Sequence, residues 1–118
     1  MPHLVLELSA TVQTPLDHQN ICRGLHAVFT DTGLFKASAL KSRVVRHNRF
    51  FIGDGKGPSA FVHLEAAILK GKPLEVRKDL GEKLHKYLAE AFSDCCERDN
   101  CQITVEIREI DPDGYVKF

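Results

Sequence analysis

The sequence has no tryptophan, one methionine (Met1), no surplus charge and no long apolar run. Its 16 basic and 16 acidic residues cancel. That balance argues against a nucleic-acid binder working through field strength, and against a polybasic membrane binder. No apolar stretch approaches the roughly 20 residues that a transmembrane helix requires. The opening Met1-Pro2-His3-Leu4-Val5-Leu6-Glu7 lacks a basic region and carries an early acid, so no signal peptide is expected. The expected location is the cytoplasm, where thiols stay reduced. The four cysteines, Cys22, Cys95, Cys96 and Cys101, therefore do not read as a disulfide framework. Three of them cluster, but no second ligand pair stands at zinc spacing, and Glu97-Arg98-Asp99-Asn100 reads as a helix exit. Helix-end packing is the expectation for these thiols, and no metal site is assigned.

What remains is one soluble domain of 118 residues, 43% hydrophobic, with enough chain for one core. Residues 3–9 form an apolar run suited to a largely buried strand. Thr14-Pro15-Leu16-Asp17 reads as a helix start, with Thr14 as cap and Pro15 at the first helical position. Ile21, Leu25, Val28 and Phe29 follow at helical spacing, and Gly33 is a stop. Leu40 to Ile52 reads as a strand, broken near Asn48, and Gly53 to Pro58 as a turn-rich connection. The order then repeats. Ala60 to Leu69 is a strand, and Gly71-Lys72-Pro73 leads into a helix. Its stripe runs through Leu80, Leu84, Tyr87, Leu88, Ala91 and Cys95. Ile103, Val105 and Ile107 alternate with polar residues in a half-buried strand. The tail after Asp111 is too short for another element.

An offset of 58 residues places Leu6-Glu7 on Leu64-Glu65 and Pro15-Leu16-Asp17 on Pro73-Leu74-Glu75. The pattern is βαβ written twice, about 59 residues each, and each unit favours a parallel strand pair with a right-handed crossover. The expected fold is α/β (α+β): a βαββαβ four-stranded mixed sheet, residues 1–118 as a single domain, with two helices on one face. Apolar residues on both sheet faces of so small a chain predict an oligomer.

Under this offset Pro2 falls on Ala60, so the chain opens with proline at the start of a core strand. That arrangement resembles the tautomerase superfamily. Several segments in order, Pro2 to Glu7, Thr32-Gly33-Leu34-Phe35, Ser42-Arg43-Val44, Ala60-Phe61-Val62-His63, and Ile103 to Ile110, resemble its 5-carboxymethyl-2-hydroxymuconate isomerase family. The resemblance covers nearly the whole chain. It implies a homotrimer, a cofactor-independent isomerase, and an unsaturated 2-hydroxy di- or tricarboxylate as substrate, met in homoprotocatechuate breakdown. It also implies that Pro2, once Met1 is removed, is the catalytic base and then the acid.

The chemistry suits those residues. A proton-shuttling base works best with a pKa near the working pH. Burial at a strand start and nearby cations both disfavour a protonated Pro2 amine. Fixed cations bind carboxylates and stabilise the dienolate charge as it develops. Lys41 and Arg43 share one strand face by alternation, and Lys72 precedes a helix start that favours anions. Lys41, Arg43 and Lys72 are therefore the substrate-binding candidates. In the family an arginine is common at the position of Lys41 and another near Lys72. Lysine cannot hold a carboxylate in a two-pronged fork. Arg46 and Arg49 read as a solvated face, His63 as a core or interface histidine, and Phe50 and Phe51 as core or subunit-contact residues. His3 should point away from Pro2.

Two other functions fit the residues. One is hydration or decarboxylation of an unsaturated acid, with Glu7, Glu65 or Glu106 as an additional acid or base. The other is a ferredoxin-like oligomeric binding module, which has the same element order but no use for a free N-terminal proline.

Overall fold

A computed structural model describes residues 2–57 and 59–118. Met1 with its expected removal, and the last residue of the connection ending at Pro58, lie outside the described residues. In chain order the elements are β1 (His3–Ser9), α1 (His18–Asp31), β2 (Lys41–His47), β3 (Phe61–Leu69), α2 (Leu74–Ala91), α3 (Ser93–Asp99) and β4 (Gln102–Ile110).

The sheet order is β2-β1-β3-β4. β1 runs parallel to β2 and β3 parallel to β4, while β1 and β3 meet antiparallel at the centre. This is the expected mixed sheet of two joined βαβ units. Leu6 and Leu64, equivalent by the sequence offset, are direct cross-strand partners. The local approximate two-fold axis relating the halves therefore passes between them. The hydrogen bond from Lys41 N to Pro2 O, 3.2 Å, has its counterpart from Gln102 N to Ala60 O, also 3.2 Å. Pro2 and Ala60 thus occupy matching places in the two halves.

One face of the sheet is covered. Leu4, Leu6 and Leu8 of β1 and Val62, Leu64, Ala66 and Ile68 of β3 are buried against Ile21, Leu25 and Phe29 of α1 and Leu80, Leu84 and Leu88 of α2. The two helices approach closely at Gly24, where an added Cβ would fall 2.0 Å from the Tyr87 hydroxyl. That hydroxyl donates to the Ile21 carbonyl at 3.3 Å.

Several expected boundaries move, each for a physical reason. α1 starts at His18 and not at Thr14: extended Asp17 (φ −78°, ψ 167°) is the cap, its Oδ1 accepting from Asn20 N at 2.8 Å. The Thr14 hydroxyl instead accepts from Leu16 N at 3.3 Å, in a turn ahead of the helix, and donates to the Ala91 carbonyl at 3.3 Å. β2 ends at His47, at the expected break, so residues 48–52 are loop and not strand. β3 begins at Phe61, one residue after buried Ala60. Cys95 does not continue the α2 stripe. The backbone breaks at Phe92 (φ −111°, ψ 26°), and Cys95 is buried from the short α3 instead. α3 ends as expected before Asn100, which takes the left-handed conformation at φ 50°. The tail folds a 3₁₀ turn at Pro112–Gly114 rather than running on without structure.

All four cysteines are free. Burial pushes the Cys101 thiol well above its ordinary range, helped by Cys95 and Cys96 beside it; burial also raises Cys96 and Cys22. Thiols so shifted are poor nucleophiles. Among the described residues, no group of three or more His, Cys, Asp or Glu is placed to hold a metal ion. No helix of the described residues is long and apolar enough to cross a membrane.

α1 is tied to β2 by His26 Nε2 and Ser42 Oγ, 2.6 Å apart. Burial lowers the His26 pKa. The unfolded chain takes up its proton near the usual value of about 6.5, the folded chain only at lower pH, so acidification through that window favours unfolding. The midpoint of thermal unfolding is expected to fall between pH 7.5 and pH 5.5. The fall should be smaller in His26→Gln; equal falls in the two proteins would contradict this origin.

Candidate active site

The parallel pairing of β1 with β2 brings the starts of both strands to one end of the sheet. Pro2 precedes β1 and is buried, and its carbonyl accepts from Lys41 N at the start of β2. His3 is the register partner of Lys41, and Val5 of Arg43. The antiparallel β3 brings its far end alongside, with Ala67 opposite His3. The Lys70–Pro73 connection that follows carries Lys72. Arg77 of α2 holds this connection by donating from Nε to the Lys72 carbonyl at 3.2 Å, and it pairs with Glu109 at 3.7 Å.

The candidates approach this end from two sides. Lys72 Nζ lies 5.5 Å from the centroid of the Phe35 ring, and Phe35 packs edge-on against Phe29 of α1, 5.0 Å between centroids. Lys72 therefore lies at the helical layer. Lys41 and Arg43 project from the uncovered sheet face. Pro2, Lys41 and Arg43 are brought together by pairing and register, with Lys72 at the same end but across the sheet. Two recesses of about 600 Å³ and 620 Å³ lie elsewhere, one along α2 and β4 and one beside the β1–α1 connection, and none of the four candidates lines either.

Three residues of this end, Tyr115, His3 and Phe35, are not among the sequence-predicted site residues. Tyr115, brought round by the 3₁₀ turn, places its hydroxyl 2.9 Å from His3 Nε2. Arg43 Nη2 donates to His3 Nδ1 at 3.3 Å. Phe35 supplies the ring under Lys72. His3 faces away from the core, as strand alternation requires. Burial, then Arg43, then Lys41 lower its pKa, so the ring is neutral at neutral pH.

The uncovered face differs from the expectation of an apolar surface. Val5, Val45 and Phe61 share it with a charged and polar network. His47 Nε2 and Glu7 Oε2 are 2.8 Å apart, Arg108 reaches Glu65 at 3.0 Å, and His63 contacts Thr104 at 2.6 Å. Glu7 and Glu65, candidates for an additional acid or base, are thus held in pairs along the sheet. Arg46 is exposed yet not merely solvated: its Nη2 donates to the Ala10 and Val12 carbonyls at 3.0 and 2.7 Å. Phe50 and Phe51 are not core residues. Phe50 packs edge-on to Phe61, and Phe51 is 77% exposed.

Against known proteins, residues 2–118 match the family described as 5-carboxymethyl-2-hydroxymuconate isomerase. The chain belongs to that family. It is an isomerase of the tautomerase superfamily, as the ordered segments and the duplicated unit imply. The 5-carboxymethyl-2-hydroxymuconate Delta-isomerase of Escherichia coli is 28% identical over 112 residues, which are 95% of this chain and 89% of that protein. A crystal structure of a 5-carboxymethyl-2-hydroxymuconate isomerase from Deinococcus radiodurans R1 superposes with a TM-score of 0.89. It is 27% identical, over 99% of this chain and 88% of its own. A fused 4-OT symmetric trimer, 14% identical, has a TM-score of 0.73 over 92% of this chain and 85% of its own, a likeness of fold alone.

Proposed function

We propose that this isomerase converts an unsaturated 2-hydroxy di- or tricarboxylate, such as 5-carboxymethyl-2-hydroxymuconate, by enol-to-keto proton transfer. In this reading Pro2, freed of Met1, takes the proton from the enol hydroxyl as its amine. It returns a proton to a carbon of the conjugated chain as the ammonium, and the double bond moves between the two. No cofactor takes part. The observation that carries the reading is the placing of Pro2, where its own carbonyl pairs with Lys41 and Arg43 stands two residues along β2. A secondary amine held on a rigid ring beside cations is suited to exchange protons with an anion. Lys41, Arg43 and Lys72 bind the carboxylates, as point charges at the two lysines and as a fork at Arg43.

The working form in this proposal is a cytoplasmic homotrimer. A sheet face left without helices supports assembly, and a trimeric neighbour shares the fold. Candidate residues that approach from both sides of one sheet end also leave room for a neighbouring subunit to complete the site.

The test uses protein whose intact mass shows loss of Met1. Decay of the enol absorbance of 2-hydroxymuconate-type substrates is followed with and without enzyme. Turnover well above the solution rate is expected for a substrate with two or three carboxylates and much less for the monocarboxylate. No turnover with any of them would sink the proposal.

A further inference from the structure

His3 joins β1, β2 and the C-terminal segment at the Pro2 end. Its Nδ1 accepts from Arg43 Nη2 at 3.3 Å and its Nε2 lies 2.9 Å from the Tyr115 hydroxyl. The tyrosine ring also stands edge-on to the imidazole, 6.0 Å between centroids at 68°. Arginine has no acceptor, so Nδ1 carries no proton in this contact. The neutral ring then bears its proton on Nε2 and donates it to the Tyr115 oxygen. One tautomer satisfies both contacts, whereas a protonated ring keeps its Nε2–H on Tyr115 but loses Arg43, because Nδ1–H would face the guanidinium.

We propose that His3 is a positioning residue that aims Arg43 and pins the Pro112–Tyr115 segment across the start of β1. The role in catalysis rests on the site reading given above; the clamp itself does not. Arg43 keeps its remaining N–H groups for a carboxylate, and a guanidinium held at one corner loses less freedom when it binds. The charged groups facing His3 are Lys41 and Arg43 on β2, the amino terminus of its own strand and, across Ala67, Arg108 of β4 paired with Glu65 of β3; Tyr115 faces it from the tail. The cations nearest the ring oppose a further positive charge there, as does its partial burial.

Three readouts test this. Ring nitrogen NMR shifts should show His3 as the Nε2–H tautomer at pH 7.5, titrating below the usual histidine value and closer to it in Arg43→Gln; an Nδ1–H tautomer overturns the clamp. With no tryptophan and only Tyr87 and Tyr115 present, Tyr87→Phe leaves Tyr115 as the sole tyrosine emitter. Its emission should change as the pH falls through the His3 titration, and the step should vanish in His3→Phe. A step that persists without His3 overturns the clamp. In steady state, Tyr115→Phe and His3→Phe should raise KM for the dicarboxylate by about tenfold with kcat little changed. Restoration toward wild type is expected in His3→Gln, whose amide can both accept and donate. An unchanged KM, or a loss confined to kcat, overturns the positioning role. A native chain without turnover sinks the Pro2 reading and with it the role in catalysis, while the NMR and emission results still decide the clamp.

Discussion

Protein that retains Met1 is expected to turn over a 2-hydroxymuconate-type enol about 10²- to 10⁴-fold more slowly than the processed chain, the span over which a positioned acid–base group acts. Retention turns the Pro2 nitrogen into an amide, which has no usable basicity, and leaves Lys41, Arg43 and Lys72 in place. The loss should therefore fall on kcat, with KM moving far less. Pro2→Ala, with its methionine removed, keeps an amine but gives up the ring that fixes its direction. A rate at the lower end of the same loss is expected. Both forms should fold normally, because Pro2 contributes a carbonyl to the Lys41 hydrogen bond and any residue supplies that. If both forms keep the native rate while their masses confirm the N-terminus, Pro2 is not the base.

The second large effect is on stability. Phe29→Ala is expected to cost about 3–5 kcal/mol, the range for a fully buried aromatic cut back to alanine. At about 4 °C per kcal/mol for a domain of this size, the unfolding midpoint falls by about 12–20 °C. Phe29 is 0% exposed and meets Phe35 edge-on, so its loss leaves a void between α1 and the sheet and removes a ring–ring contact as well. The effect reaches the candidate site through Phe35, which underlies Lys72. A weaker grip on the carboxylate is expected in whatever folded protein remains. Urea unfolding checks the first statement, and a cost under about 1 kcal/mol would mean that the core closes around the gap.

The two effects differ in how openly the chain declares them. The strands were legible because the apolar run at residues 3–9 marks a buried strand and the alternation of Ile103, Val105 and Ile107 a half-buried one, and the repeat predicted a mixed sheet of two βαβ units; the central pairing of Leu6 with Leu64 appears only in the fold. The Pro2 position was legible from the same repeat, since Ala60 makes the matching hydrogen bond. The start of α1 was not. Thr14 and Asp17 are both good caps by residue type; Asp17 caps the helix, while Thr14 accepts from Leu16 N in the preceding turn and reaches the Ala91 carbonyl, 77 residues away. The break at Phe92 has no glycine or proline to mark it, and Cys95 lies at a spacing that continues the stripe. Tyr115 stands 112 residues from His3 and gains its place only when the sheet brings β1 and β4 to the same end. Charge on the uncovered face escaped a reading by apolar count because alternation places Glu7, Glu65 and Arg108 there beside Val5 and Phe61.

The twin hydrogen bonds at Pro2 and Ala60 mark the one point at which the two halves differ in covalent connection. Folding treats the two ends of the sheet alike, yet the backbone runs unbroken from Ser59 into Ala60 while it begins beside Pro2. Joining two halves into one chain removes a terminus, and with it one of two amines that the shared geometry would otherwise present. In the proposed mechanism the second half therefore keeps the matching backbone hydrogen bond but offers an amide at Ala60 where the first half offers an amine at Pro2.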